Sequence, residues 1–277
     1  MTVLLLLASG GFGAGIFGSL LGLGGGILIV PLLTFAFGLS FREAVGVSLV
    51  CVIVTSSAAA GVYVERHLAN LRLGMLLEVF TASGALIGGL VAFLLPDRML
   101  AGLFALLLAY TGMAMLRRRA AAAGDAGPAG EFTEDAAGAT PAPGPFRAAL
   151  DGPGYRPVRL AAGIGGSLFA GVVSALLGVG GGIVKVPLMH LVMHVPLKVA
   201  TATSNLMIGV TASASAIVYL LRGGIDPLVA GPTAVGVFAG AMVGSRVAQR
   251  IDTRFLRLLF VAVLALTAVQ MSLRALG

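Results

Sequence analysis

The sequence predicts an all-α polytopic membrane protein built from two homologous halves. Three observations predict it. Hydrophobic residues make up 58% of the 277 residues and charged residues 10%, whereas a soluble domain carries roughly 25% charged residues. The apolar residues fall into runs of about 20, the length that spans a hydrocarbon core about 30 Å thick. One run, broken by four glycines and closed by a proline, occurs twice, as Leu20–Leu32 and Leu176–Leu188, at an offset of 156 residues.

Taken in order, the first half has apolar segments over 2–21, 26–37, 43–64, 73–95 and 99–116, and the second over 159–177, 182–193, 199–221, 228–249 and 256–274. Segment 2–21 has the length of a secretory signal but no basic start, and its glycine-rich end continues into the repeated motif. It therefore reads as a retained span. Segments 26–37 and 182–193 are short for a crossing. They either cross or dip in and return, which puts the total at 8–10 transmembrane segments, with helix breaks at the glycine motifs. Between the halves, Arg117–Pro157 is rich in Ala, Gly and Pro and carries Asp125, Glu131, Glu134 and Asp135. It lacks the apolar content of a packed core and reads as a flexible cytoplasmic linker. The expected division is a first repeat over 1–116, the linker over 117–157 and a second repeat over 158–277.

The duplication runs well past the glycines. At the same offset Ser48 falls on Ser204, Thr55 on Thr211, Tyr63 on Tyr219, Gly84 on Gly240, Gly88 on Gly244 and Arg98 on Arg254. Within 15–33, 11 of 19 positions are identical to their counterparts. Apolar composition alone does not align glycine, proline, tyrosine and arginine in one register. Duplicated halves are the usual construction of secondary transporters.

Charge decides between parallel and inverted halves, because Lys and Arg accumulate on the cytoplasmic side. If each half crosses an odd number of times, 13 basic residues face the cytoplasm and only Arg42, Arg98, Arg222 and Arg274 face out, with Lys185 inside the membrane. An even number gives about 10 against 7. The sequence thus predicts inverted halves with both termini outside. The net charge of +7 follows from this bias and implies no nucleic-acid partner. A single cysteine, Cys51, excludes an intramolecular disulfide and any multi-cysteine metal site. It reads as a small apolar filler.

The glycine breaks carry the expected chemistry. A helix restarting inside a membrane presents free N–H groups and the positive end of its dipole, and such an end attracts anions. Gly24, Gly25 and Gly26, with Gly180, Gly181 and Gly182, have no side chains to shield that backbone. Irregular backbone at membrane depth is tolerated where it lines a cavity or is buried in protein, and inverted halves would bring the two breaks together near the midplane. Close helix packing is the plainer account of a single Gly-xxx-Gly, but it does not explain two matched runs each followed by proline.

Lys185 lies three residues past Gly182, and its counterpart in the first half is Ile29. A lysine inside an apolar segment is costly and marks function. It is expected to bind an anion directly, the alternative being snorkelling to an interface. Glu78, opposite Ala234 in the repeat, would carry a proton, pair with Lys185 or sit at an interface. His190 is a second candidate proton carrier. His194, four residues on, supplies no third ligand for a metal, so no metal and no cofactor are expected. Ser48, Ser204 and Asn205, on the third segment of each half, are candidate pore-lining groups. Thr211, Ser213 and the other hydroxyls there read as packing.

The run Leu-Gly-x-Gly-Gly-Gly-x-x-x-Val-Pro at Leu21–Pro31 and again at Leu177–Pro187, followed by Val47-Ser48-Leu49 and Ala202-Thr203-Ser204-Asn205, resembles the sulfite exporter TauE/SafE family. The resemblance covers everything but the linker. It implies an inner-membrane permease that moves sulfite, sulfoacetate or other small organosulfur anions, usually outward. The first half departs from the common pattern in having Gly46-Val47-Ser48 where Gly-Thr-Ser is frequent. The family does not assign the binding residues, so the candidates above rest on their own chemistry.

The sequence therefore reads as a secondary transporter of small sulfur-containing anions in the lipid bilayer, working by alternating access around the paired breaks. A passive anion channel of the same fold is the alternative. No Walker A run occurs, which argues against ATP-driven transport by this chain, and no nucleophile–base constellation points to an enzyme. The membrane potential favours anion exit, so export would run as a uniport or with a proton. A homodimer is compatible with the sequence but not specified by it.

Overall fold

The computed structural model describes residues 2–21, 26–65, 69–122, 150, 155–247 and 264–272. Among these residues the chain is helical. The first half contributes α1 (Thr2–Leu21), α2 (Gly26–Ala36), α3 (Phe41–Glu65), α4 (Leu71–Ala92) and α5 (Asp97–Ala122). The second contributes α6 (Leu160–Leu177), the short α7 (Gly182–Pro187) continued by a π-helical turn (Leu188–Val192), α8 (Leu197–Leu221) and α9 (Pro227–Val247). Residues 264–272 are helical as well. By length and composition Leu71–Ala92, Leu160–Leu177, Val199–Leu221 and Pro227–Gly244 are apolar enough to cross a membrane, and Thr2–Gly18, Gly26–Ala36 and Gly182–Val192 are shorter apolar helices. The expected all-α polytopic architecture is what forms.

The apolar surface is distributed as a bilayer requires. Leu5, Met75, Val79, Leu106 and Leu228 are exposed while Ile29, Leu49, Phe104 and Tyr219 are buried. In water such an outer surface would be an aggregation hazard, whereas in lipid it is the solvated face.

The helices exchange partners between halves. α1 packs along α9, and α4 along α6 and α8, while α3 packs against α8, α9 and α2. Glycine brings the paired backbones together. A methyl on Gly240 would strike Phe12 O and one on Gly84 would strike Leu168 O; one on Gly15 would strike Val237 O and one on Gly171 would strike Thr81 O. Each of these two pairs is one contact repeated at the 156-residue offset. Ala8 meets Gly236 and Phe12 meets Gly240, so α1 and α9 run in the same direction, as α4 and α6 do from Gly84–Leu168 and Gly88–Val172. By contrast, Gly46 meets Gly224 and Gly209 meets Ser56, so α3 and α8, the equivalent helices of the two halves, run antiparallel. Between helices in lipid, this close approach replaces the hydrophobic drive that is missing there.

Three local devices place the site. Asn70 caps α4, its side chain accepting from Leu73 N at 3.0 Å, which satisfies one of the orphan donors at the helix start. The same amide donates to Tyr155 Oη at 2.8 Å and Leu150 O at 3.0 Å, and Asn70 N donates to Thr203 Oγ1 at 3.0 Å. One residue thus ties α4 to α8 and to the chain entering α6. Pro187 has no N–H to give its turn, and the helix widens into the π-helical turn, with Met193 N reaching Leu188 O. At the foot of α3, Arg42 donates to Leu95 O at 2.8 Å, pairs with Asp97 at 3.2 Å and lies over the Phe93 ring, to which Arg222 also comes within 6.0 Å. α5 continues through Arg117–Arg119 to Ala122.

Candidate functional site

The second glycine break is the better described of the two. Gly178 ends α6 in the left-handed conformation at φ 68°, its N–H donating to Ser174 O at 2.8 Å. Gly180 and Gly181 follow at φ 78° and 75°. Two such residues in succession strain any residue with a Cβ, which explains the glycines here. Gly181 O then accepts from both Val184 N and Lys185 N as α7 begins.

The first break meets the second. A methyl on Gly26 would come within 2.6 Å of Gly178 O and 3.1 Å of Ser48 Oγ. The Ser48 hydroxyl donates to Gly178 O at 2.7 Å and lies 3.3 Å from Gly26 O. A fully buried side chain on α3 therefore holds the carbonyl freed at the end of α6 and touches the start of α2. Gly24 and Gly25 lie outside the described residues.

Around Gly181 and Gly182 the polar groups gather. Lys185 is 1% exposed. Its ammonium donates to Glu78 Oε2 at 3.2 Å and to Thr211 Oγ1 at 2.6 Å, and the Thr211 hydroxyl lies 2.7 Å from Glu78 Oε1 and 3.0 Å from Met207 O. Three elements, α4, α7 and α8, thus close a ring of carboxylate, ammonium and hydroxyl. An ammonium has three N–H donors, and these contacts use two. A methyl on Gly181 would come within 3.3 Å of Ser174 Cβ and 3.5 Å of Lys185 Cε, and one on Gly182 within 3.7 Å of Ser204 Oγ. Ser174 Oγ and Ser204 Oγ are buried with no hydrogen-bond partner among the described residues. A buried orphan hydroxyl costs about 1–3 kcal/mol, and these two lie at the glycine turn that leads to Lys185, each with a donor left over.

Of the sequence candidates, Gly26, Ser48, Gly180, Gly181, Gly182, Lys185, Ser204 and Glu78 come together at the meeting of the breaks. Asn205 is buried next to Ser204 in α8. His190 stands apart on the π-helical turn, its Nδ1 3.0 Å from Val195 O, and His194 is exposed with φ 55°. Cys51 is buried among apolar side chains of α3 and its neighbours. Thr211 and Ser174 are the residues that sequence reasoning passed over. Thr211 carried a signal in its match to Thr55, but nothing in the sequence separated it from the other hydroxyls of its helix. An apolar groove of about 460 Å³ lies elsewhere, between α1, α2 and 264–272, lined by Phe17, Leu28, Leu32 and Phe35 with Thr267 and Gln270. It contains none of these residues.

Comparison with known proteins places the chain among membrane transporters. The chain is 27% identical over 268 residues to the probable membrane transporter protein YunE of Bacillus subtilis, covering 93% of each chain. It is 26% identical over 297 residues to a probable membrane transporter protein of Methanocaldococcus jannaschii, covering 99% of this chain and 97% of that one. It is 27% identical over 280 residues to the probable membrane transporter protein MamO of Magnetospirillum gryphiswaldense, covering 93% of this chain and 43% of MamO. No solved structure matches. The family model for the sulfite exporter TauE/SafE matches residues 7–271, both glycine breaks and the Glu78–Lys185–Thr211 ring included, and the chain is accordingly a multi-pass membrane transporter that belongs to the sulfite exporter TauE/SafE family.

Proposed function

We propose that the chain is a secondary transporter that exports small sulfur-containing anions, such as sulfite, sulfoacetate or related organosulfonates, across the inner membrane. One observation carries this reading: the hydroxyls of Ser174 and Ser204, unpartnered among the described residues, lie at a turn of bare glycine backbone that leads to a buried lysine with a donor to spare. Tetrahedral oxyanions present several acceptors over a small volume, which suits convergent donors of this kind. The proposed substrate contacts are Gly24, Gly25 and Gly26 from the first break and Gly180, Gly181, Gly182 and Lys185 from the second, with Ser48, Ser204 and Asn205 from the long helices beside them.

Alternating access is the proposed mechanism. The antiparallel run of α3 and α8 and the charge count support inverted halves, with the linker in the cytoplasm and the paired breaks near the midplane. Lys185 and Ser48 are buried, which supports reading this arrangement as an occluded one. Rocking one half against the other would open the breaks to either side, and the bond from Ser48 to Gly178 O crosses the seam that must part.

Counterflow in proteoliposomes tests the proposal. Vesicles loaded with unlabelled sulfoacetate or sulfite are expected to accumulate the labelled anion transiently above its external level, with acetate a poor competitor. Flux without overshoot would identify a passive channel and overturn the carrier mechanism. Absence of flux for every sulfur anion offered would overturn the substrate class.

A further inference from the structure

The Glu78–Lys185–Thr211 ring carries a consequence for what travels with the anion, and it rests on the reading just given. As it stands the ring is electrically balanced, one carboxylate against one ammonium at 3.2 Å. Among the described residues Glu78 is the one carboxylate within ion-pair distance of Lys185. A monovalent anion placed on Lys185 would leave the buried site one negative charge in excess. An uncompensated buried charge costs several kcal/mol even after relaxation, and more than the neutral state it replaces.

Among the described residues of the helices packed around the ring, no other group supplies the balance. α4 carries Arg72 and Glu78, with Arg72 exposed near the start of the helix. α6 has no titratable residue. α7 and the π-helical turn carry Lys185 and His190, the latter turned to Val195 O. α8 carries Lys198 near its start and Tyr219, whose hydroxyl donates to Ala175 O at 3.0 Å. Glu78 is thus the described group whose neutralisation by a proton would restore the balance.

We infer that the transporter moves its anion together with one proton held on Glu78, the carboxylate and the substrate taking turns as partner of Lys185. In the empty carrier Glu78 and Lys185 pair. On loading, a proton from the aqueous side adds to a Glu78 oxygen. The ion pair dissolves, and the ammonium turns its freed donor to the anion. Thr211 keeps its place by accepting from Lys185 throughout, and its hydroxyl proton can pass from Glu78 Oε1 to Met207 O, both of which lie within reach. On the far side the anion leaves, Glu78 gives up its proton to water and the pair re-forms. Charge balances at every stage. Transport of a monovalent anion is then electroneutral: the substrate's own gradient and the pH difference set its direction, and the membrane potential does not.

The test uses the intact purified protein in proteoliposomes with isethionate, a monovalent sulfonate. Where isethionate does not exchange, sulfoacetate takes its place, a dianion whose uptake with one proton leaves one negative charge and so follows the potential. A sulfonate group stays ionised through the working range, so a proton that moves with isethionate is carried by the protein. A pH-sensitive dye inside the vesicles and a clamped diffusion potential supply the two readouts. The expected result for isethionate is one proton entering per anion, uptake unchanged by the potential, and about tenfold accumulation sustained by a gradient of one pH unit. Glu78→Gln should lose that tenfold pH-driven accumulation, and any uptake it retains should follow the clamped potential. Wild-type uptake that follows the potential with no change in internal pH would overturn the inference and leave the transporter reading intact. Undiminished pH-driven accumulation in Glu78→Gln would likewise overturn it. If neither sulfonate is exchanged by the wild type this inference fails, and if sulfite is not exchanged either the substrate reading fails with it. The wild-type stoichiometry decides the matter even where Glu78→Gln does not fold.

Discussion

Lys185 and Ser48 do different work although each sits beside a glycine break. Lys185 is held by a carboxylate, so removing it does more than remove a cation. Lys185→Met strands Glu78 beside Thr211 in a sealed site, and breaking a buried pair from one side costs about 3–5 kcal/mol. The single variant is expected to unfold at a distinctly lower temperature in detergent, and Lys185→Met/Glu78→Leu to recover most of the loss. A single variant as stable as wild type would mean that the pair is not formed. The two equivalent serines make a sharper contrast. Ser48 satisfies Gly178 O, whereas Ser204 has no partner among the described residues. Ser48→Ala should cost about 1–3 kcal/mol by orphaning that carbonyl. Ser204→Ala should leave stability unchanged or raise it by up to about 1–3 kcal/mol, since it removes an orphan hydroxyl, and should reduce the thermal shift produced by sulfite or sulfoacetate. Equal stability losses at both positions would contradict the vacant-donor reading of Ser204.

At the scale of helices, packing is governed by where a Cβ is forbidden. Gly84 and Gly171 lie on the α4–α6 seam against Leu168 O and Thr81 O, whereas Gly112 on α5 has nothing within 4 Å of a built Cβ. Gly84→Ala and Gly171→Ala should destabilise by about 1–3 kcal/mol through overpacking. Gly112→Ala should be neutral or stabilise by about 0.5–1 kcal/mol through helix propensity, and thermal unfolding in detergent separates the two outcomes. The sequence announced these seams only in part. The helical segments were legible because membrane-length apolar runs have few other solutions, and α1, α4, α6 and α8 begin and end within two or three residues of the segments expected. The breaks were legible because glycine repeats at one register. The seam partners were not, since a glycine says that something approaches closely and not what. The π-helical turn at Leu188–Val192 was equally hidden: Pro31 occupies the position equivalent to Pro187, yet α2 stays α-helical around it, so proline alone does not predict the widening. The ring at Lys185 was half legible. Two lone charges in apolar segments suggest a pair, but Thr211 becomes special only once α4 and α8 are side by side.

At the scale of the whole molecule the halves are not side-by-side domains, because α1 and α4 find their principal partners in the other half. Covalent continuity between the halves should therefore matter less than their simultaneous presence. A chain divided within 123–149 and produced as two co-expressed pieces is expected to co-purify and to retain counterflow, while either piece alone fails to accumulate. Independent folding of the first piece, judged by a cooperative thermal transition, would contradict the exchanged packing.

The pairing of α1 with α9 also sets an order on biogenesis. α1 is made first, yet the backbone surface that covers Gly11 and Gly15 belongs to Thr233 and Val237, which leave the ribosome more than two hundred residues later. Until then α1 must wait in the bilayer with its small-residue stripe facing lipid or a chaperone. A ribosome stalled before Pro227 would leave a nascent chain whose first helix is inserted but unmatched, the kind of intermediate that membrane quality-control proteases recognise. Synonymous changes that slow translation just ahead of α9 should therefore lower the yield of mature protein without altering a single residue of it.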